Sequence, residues 1–172
     1  TVLCPYWDNS GKIRQYRIDK LVVDLDRNYA VDGVEVDGKA IDAAHWRNPE
    51  GRMTVDLPKP LAVNADVLLR IRYSGHPHVA EKAPWDGGFV WATAPTGEPW
   101  VATAVQGEGC DLLWPCIDHP MGEPGEVVQH VTVPSPLVAA GNGIATGMEE
   151  QEGWRTYHWR AKHPNTYAIA LN

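Results

Sequence analysis

Trp100-Val101-Ala102-Thr103-Ala104-Val105-Gln106-Gly107-Glu108-Gly109-Cys110-Asp111-Leu112-Leu113-Trp114-Pro115-Cys116-Ile117-Asp118-His119-Pro120 reads as one alternating strand that empties into a dense loop. Trp100, Ala102 and Ala104 face one way and Val101, Thr103 and Val105 the other, as successive side chains of an extended backbone must. Gln106 is therefore delivered at the strand's exit with a defined direction. Gly107 and Gly109 admit backbone angles that other residues avoid, while Pro115 and Pro120 fix theirs. A segment composed in this way is built to hold a shape, and function is to be sought there.

Outward from this loop the chain reads as successive antiparallel strands. Leu21, Val23 and Leu25 share one face against Asp24 and Asp26, and Val34 and Val36 repeat the pattern before the tight-turn pair Asp37-Gly38. Met53, Val55 and Leu57 form the next strand, stopped by Pro58-Lys59-Pro60. Val67, Leu69, Ile71 and Tyr73 alternate with Leu68, Arg70 and Arg72, and Gly75, Pro77 and Pro84 open a longer connection. Phe89, Trp91 and Thr93 run into Pro95-Thr96-Gly97-Glu98, a hairpin turn that feeds the Trp100 strand. Segments 127–133, 137–144, 154–160 and 167–171 continue the series. No apolar period of 3.6 is sustained for three turns, so helix is confined to short turns near 40–47 and 108–113. The fold class is all-β, with antiparallel strands at the spacing of a sandwich or barrel and few helical turns. No internal repeat, low-complexity tract or interdomain linker interrupts it.

Composition agrees. The 172 residues suffice for one core, and eight tryptophans with 44% apolar content indicate a folded globule, while sixteen Gly and fourteen Pro indicate many turns. A net charge of -7 without a basic run argues against nucleic acid, whose phosphates need clustered Lys and Arg. No apolar run approaches the ~20 residues that span a bilayer, and residues 1–16 lack the apolar stretch of a secretion signal. Three cysteines do not make a disulfide framework, and they are expected as reduced, buried thiols. The compartment stays open, the cytoplasm favoured over a periplasmic or secreted setting.

The order Gln106, Trp114, Pro115, Cys116, Asp118, Pro120 resembles the N-terminal domain of the aminopeptidase N and leukotriene hydrolase family of zinc metallopeptidases. There a Thr-rich strand leads through Gln or Glu to an aromatic or apolar residue, then Pro-Cys, one variable position, Asp, another variable position and Pro. Val131-Thr132-Val133-Pro134, Leu137-Val138-Ala139-Ala140, Asn142-Gly143, Val34 to Lys39 and Ile71 to Gly75 are similar to flanking family segments. The resemblance covers roughly residues 17–172 and leaves 1–16 as an unassigned leader or tag-like segment.

The resemblance implies twisted, saddle-like antiparallel sheets, and a domain that docks on a catalytic neighbour and anchors a peptide's free amino terminus. Gln106 is implied as the anchor, with Gly107 and Glu108 beside it. Trp114, Pro115, Cys116, Asp118 and Pro120 are the structural loop, with Asp118 accepting backbone amides. The family's catalytic His-Glu-x-x-His does not occur among the seven histidines. The chain therefore reads as an amino-terminal module of a larger zinc aminopeptidase, inactive alone, with no cofactor of its own and zinc in the missing catalytic domain. The family's two opening strands are not recognisable before Arg17, so an unpaired sheet edge and an edge-strand homodimer are expected.

Other constellations carry less. His76-Pro77-His78 offers two imidazoles without a Cys or acidic neighbour, and Cys116 has no histidine at a nucleophile's spacing. The rival reading is a free-standing β-sandwich that binds carbohydrate or protein through tryptophans 85, 91, 100, 114, 154 and 159. Strand alternation places several of these inward as core.

Overall fold

The computed structural model describes residues 18–62, 64–105 and 107–172; the leader-like segment lies outside the described residues. Eleven strands among them form four antiparallel sheets. In the first, β1 (Ile18–Asp24) stands at the edge and pairs with β5 (Arg52–Leu61), which also pairs with the two-residue β4 (Trp46–Arg47). In the second, β2 (Tyr29–Val36) lies between β3 (Lys39–Ala40) and β6 (Leu69–Gly75). Asp37 and Gly38 turn β2 into β3 with φ of 50° and 76°, the doubly positive geometry a two-residue hairpin demands.

These two sheets share a core because the alternation of β2 and β5 sends their apolar sets to the same place. Val34 and Val36 meet Met53 and Val55, all buried, with Leu21, Val23, Trp46 and Ile71 packed around them. Strand β5 does not stop at Pro58. It continues to Leu61, because the pairing with β1 jumps from Lys20–Asp56 to Ile18–Leu61. Pro58 and Pro60 fall within that irregularity, where no regular ladder bond is asked of them.

The expected hairpin forms as β7 (Gly88–Thr93) and β8 (Pro99–Ala104), joined through Ala94–Glu98. The fourth sheet has β11 (Trp154–Lys162) between β9 (Glu126–Pro134) and β10 (Ile144–Gln151). Residues 137–143 are not a strand. They form a covering loop whose carbonyls are taken by side chains of β11: Tyr157 Oη donates to Leu137 O and Trp159 Nε1 to Ala139 O. Strand β10 follows, exposed at every position, so no apolar alternation betrayed it. The expected strand at 167–171 is a 3-10 turn, Thr166–Ala168, capped by the Asn165 side chain, and then an extended tail. Asn172 exchanges two backbone bonds with Ala140, and Leu171 N donates to Thr103 Oγ1. Short helical turns at Ala43–His45 and Cys110–Leu112 fall inside the windows expected for them. Among the described residues no helix is long and apolar enough to cross a membrane.

Met53 is fully buried at the shared core, whereas Met148 is 51% exposed on β10. Met53→Ala is expected to cost about 2–5 kcal/mol in urea unfolding, by lost burial and the cavity left behind. Met148→Ala should cost under about 1 kcal/mol, and equal losses would contradict the placement of the core.

Candidate functional site

Strand β8 is followed by the buried Val105, whose carbonyl accepts from Glu108 N at 3.3 Å and Gly109 N at 3.0 Å, so the chain turns sharply there. Gly109 is buried at φ 133°, and a Cβ on it would strike the Asp111 carboxylate and lie 2.9 Å from Asp118 Oδ2. No other residue fits. The 3-10 turn Cys110–Leu112 then folds back, with Leu113 N and Trp114 N both donating to Cys110 O.

Cys110 and Cys116 are joined in a disulfide, which corrects the expectation of reduced thiols. The helical turn brings their Cα atoms to 6.2 Å, inside the range a disulfide bridges. Six residues of separation do not reveal that geometry. Cys116 exchanges both backbone bonds with Asp24 of β1, at 2.8 and 3.0 Å. Asp118 Oδ1 accepts from Cys110 N at 3.2 Å, and Asp118 N donates to Asp24 Oδ2 at 3.1 Å. Asp26 N donates to Asp111 O. From the second sheet, Tyr29 Oη donates to Leu112 O at 2.9 Å and Tyr73 Oη to Leu113 O at 3.1 Å. The loop is thereby tied to both sheets that precede it.

Burial pushes the Tyr29 hydroxyl up to about 12, helped by the neighbouring Tyr73 and Asp26, and burial also raises Tyr73. Both remain donors at neutral pH. The Asp111 carboxyl is raised to about 6, first by burial, then by the negative field of Asp118, with smaller contributions from Asp26 and Asp24. Four carboxylates thus crowd the base of the loop.

Gln106 lies outside the described residues. Gly107 is exposed at φ 90°. Glu108 is exposed too, yet its Cβ and Cγ sit where Gly87 leaves room; a Cβ on Gly87 would lie 2.5 and 2.6 Å from them. Trp114 is half-buried against the cluster of Val105, Leu112 and Leu113, and its Nε1 is buried without a hydrogen bond among the described residues. Cys116 is buried, Asp118 and Pro115 are half-buried, and Pro120 is exposed. His119 is exposed, its Nδ1 accepting from Met121 N. Sequence reasoning missed Tyr29, Tyr73, Asp24 and Asp111; each stood in an ordinary strand or loop position, and only its long-range bond marks it.

His76 and His78 are both exposed. Among the described residues no group of three or more His, Cys, Asp and Glu is arranged to hold a metal ion. The expectation that tryptophans turn inward holds poorly: Trp85, Trp91, Trp100 and Trp154 are each more than half exposed. Trp91 pairs with Val101 and Trp100 with Ala92, so in this two-stranded sheet the two indoles project from opposite faces and make no single stacking platform.

The chain is similar in structure to the M1 zinc metallopeptidase from Deinococcus radiodurans, with 25% identity and a TM-score of 0.74 over 92% of this chain and 34% of that one. A mutant of that enzyme bound to a Tyr-Ser-Ala substrate matches with 26% identity and a TM-score of 0.75, over 92% of this chain and 35% of that one. A two-domain M1 zinc metallopeptidase mutant bound to L-arginine matches with 25% identity and a TM-score of 0.72, with the same coverage of 92% and 35%. The chain matches a domain of the M1 zinc metallopeptidases and spans about a third of the length of those it matches. No protein-family model and no curated protein sequence matches it.

Two outcomes follow from the loop's construction. Reductant should lower the chain's unfolding free energy by about 2 kcal/mol, the loop-closure value for a short ring, and should leave a Cys110→Ser/Cys116→Ser double variant unmoved. Equal response of both proteins would contradict the disulfide. Asp111 binds its proton more tightly when folded, so its contribution is full below the usual value of 3.8 and is lost as pH rises towards about 6. Asp111→Asn should raise the melting midpoint at pH 7 and flatten the wild-type decline between pH 4 and 6; an unchanged profile would contradict the crowding.

Proposed function

We propose that this chain is the N-terminal substrate-anchoring and docking domain of a zinc aminopeptidase that removes N-terminal residues from peptides, and that Gln106 holds the peptide's free amino terminus. The observation that carries this reading is the match, over 92% of the chain, to M1 zinc metallopeptidases, one of them bound to a Tyr-Ser-Ala substrate. The zinc and its ligands belong, in this reading, to a catalytic part of a longer polypeptide. This chain's own contribution is to bind and orient.

The chemistry suits an amide. Oε1 of a glutamine accepts from an ammonium while Nε2 donates to a carbonyl or carboxylate, so one side chain reads both charge and direction of a peptide end. Holding that end fixes the register of the first peptide bond, and positioning of this kind lowers a barrier without a reacting group. Support comes from the scaffold on either side of position 106: Val105 is buried, Gly109 admits no side chain, and the disulfide closes the loop beyond. Glu108, with its stem packed over Gly87, adds negative charge that attracts an ammonium. Trp91, exposed and stacked on Phe89, gives the docking role apolar surface to cover. The disulfide supports an oxidising setting, periplasmic or secreted, in place of the cytoplasm.

In the complete polypeptide, Gln106→Ala should lower kcat/KM for peptides with a free amino terminus by about tenfold, the worth of one hydrogen bond to a charged group, with the melting midpoint unchanged. Unaltered kinetics on such peptides would defeat the assignment.

A further inference from the structure

The fourth sheet brings two histidines face to face. His130 of β9 and His158 of β11 are direct cross-strand partners, their rings crossing edge to face with centroids 4.7 Å apart. Their Nδ1 atoms lie 2.5 Å apart, inside the about 2.9 Å of an ordinary hydrogen bond from nitrogen, so both rings aim a nitrogen at one point. His130 is exposed. The His158 side chain is 20% exposed, and its other nitrogen, Nε2, is buried with no hydrogen bond among the described residues and with Glu149 Oε1 3.6 Å away.

A proton placed on His158 Nε2 faces the Glu149 carboxylate, and that tautomer leaves Nδ1 bare and directed at His130. A carboxylate behind one ring nitrogen with a lone pair on the other is the outer-shell pattern that prepares an imidazole to bind a metal. The third strand leaves the approach open, because the residue of β10 opposite His158 is Gly147; a Cβ built there meets only His158 Cδ2, at 3.6 Å. One pairing step along the same face, Thr132 and Thr156 share a hydroxyl hydrogen bond of 2.9 Å, so polar groups flank the pair.

We propose that His130 and His158 bind a divalent transition-metal ion of the imidazole-seeking class, zinc(II), copper(II) or nickel(II), with water completing its coordination and Glu149 orienting His158 from behind. Bonds of about 2.0–2.1 Å at a tetrahedral angle set the two nitrogens about 3.3 Å apart. The rings must part by less than about 1 Å, which rotation of the exposed His130 ring supplies. Calcium and magnesium, which take oxygen ligands, do not fit this pair. The bound ion links β9 to β11 across the middle of the sheet.

The test uses the purified 172-residue chain with copper(II) as spectroscopic probe and zinc(II) for calorimetry. One ion per chain is expected, with two-nitrogen coupling in the copper electron-spin spectrum. At zinc a hundredfold above its Kd the melting midpoint should rise by about 5–10 °C. His130→Ala and His158→Ala should each weaken zinc binding at least tenfold and remove one nitrogen from the spectrum, and Glu149→Gln should weaken it a few-fold. The paired variants His76→Ala and His78→Ala should change nothing. Should either sheet variant unfold, His130→Gln serves in its place, because an exposed Gln is tolerated on a strand surface. Undiminished binding in the His130 and His158 variants, or binding that is lost with His76 and His78, overturns the proposal.

Discussion

The reciprocal backbone bonds between Asp24 and Cys116 are the contact on which the remainder of the arrangement depends. One residue ends the edge strand of the first sheet, and the other closes the loop that leaves the β7–β8 hairpin. Ninety-two positions separate them, so joining them costs chain entropy that no local propensity repays. The cost is met by several contacts acting at one place: the disulfide, the Asp118 carboxylate on Cys110 N, and two tyrosine hydroxyls on successive loop carbonyls. The carboxylate and the two hydroxyls each satisfy a backbone group that would otherwise lack a partner, at a penalty of about 1–3 kcal/mol apiece.

The same place carries the molecule's least comfortable electrostatics. Asp24, Asp26, Asp111 and Asp118 gather where backbone donors are concentrated, and Asp111, half-buried, bears the consequence in a raised carboxyl. Asp24 and Asp118 are held by amide hydrogen bonds. Asp111 has Asp118, Asp26 and Asp24 as its charged neighbours, with no offsetting cation among the described residues. The loop therefore combines covalent closure with a pH-dependent weakness, and its shape is set by connections to distant strands more than by its own residues.

Strands with one buried face were legible in the sequence. Val34, Val36, Met53 and Val55 announced the shared core, and Asp37-Gly38 and Pro95–Gly97 announced their turns. What escaped was structure decided by partners far along the chain. Strand β10 has no buried face and hence no apolar alternation. Residues 137–143 carry a strand's composition, yet side chains of β11 take their carbonyls. Pro58 and Pro60 were read as a stop, and they ride through a break in pairing that only the partner strand defines. In the loop, Gly109 and Asp118 could be singled out from residue type, while the disulfide depended on a helical turn whose geometry spacing does not disclose. The cross-strand meeting of His130 and His158 depended on register in the same way.

The central claim is that this scaffold carries the amide of Gln106 to a peptide's amino terminus beside a catalytic centre that lies elsewhere in the polypeptide. A crystal structure of the complete polypeptide with a short free-amine peptide bound tests it most directly. The account predicts Gln106 Oε1 within about 3.2 Å of the peptide's terminal nitrogen. A peptide seated with its amino terminus on other groups, and Gln106 turned away from the cleft, would contradict it.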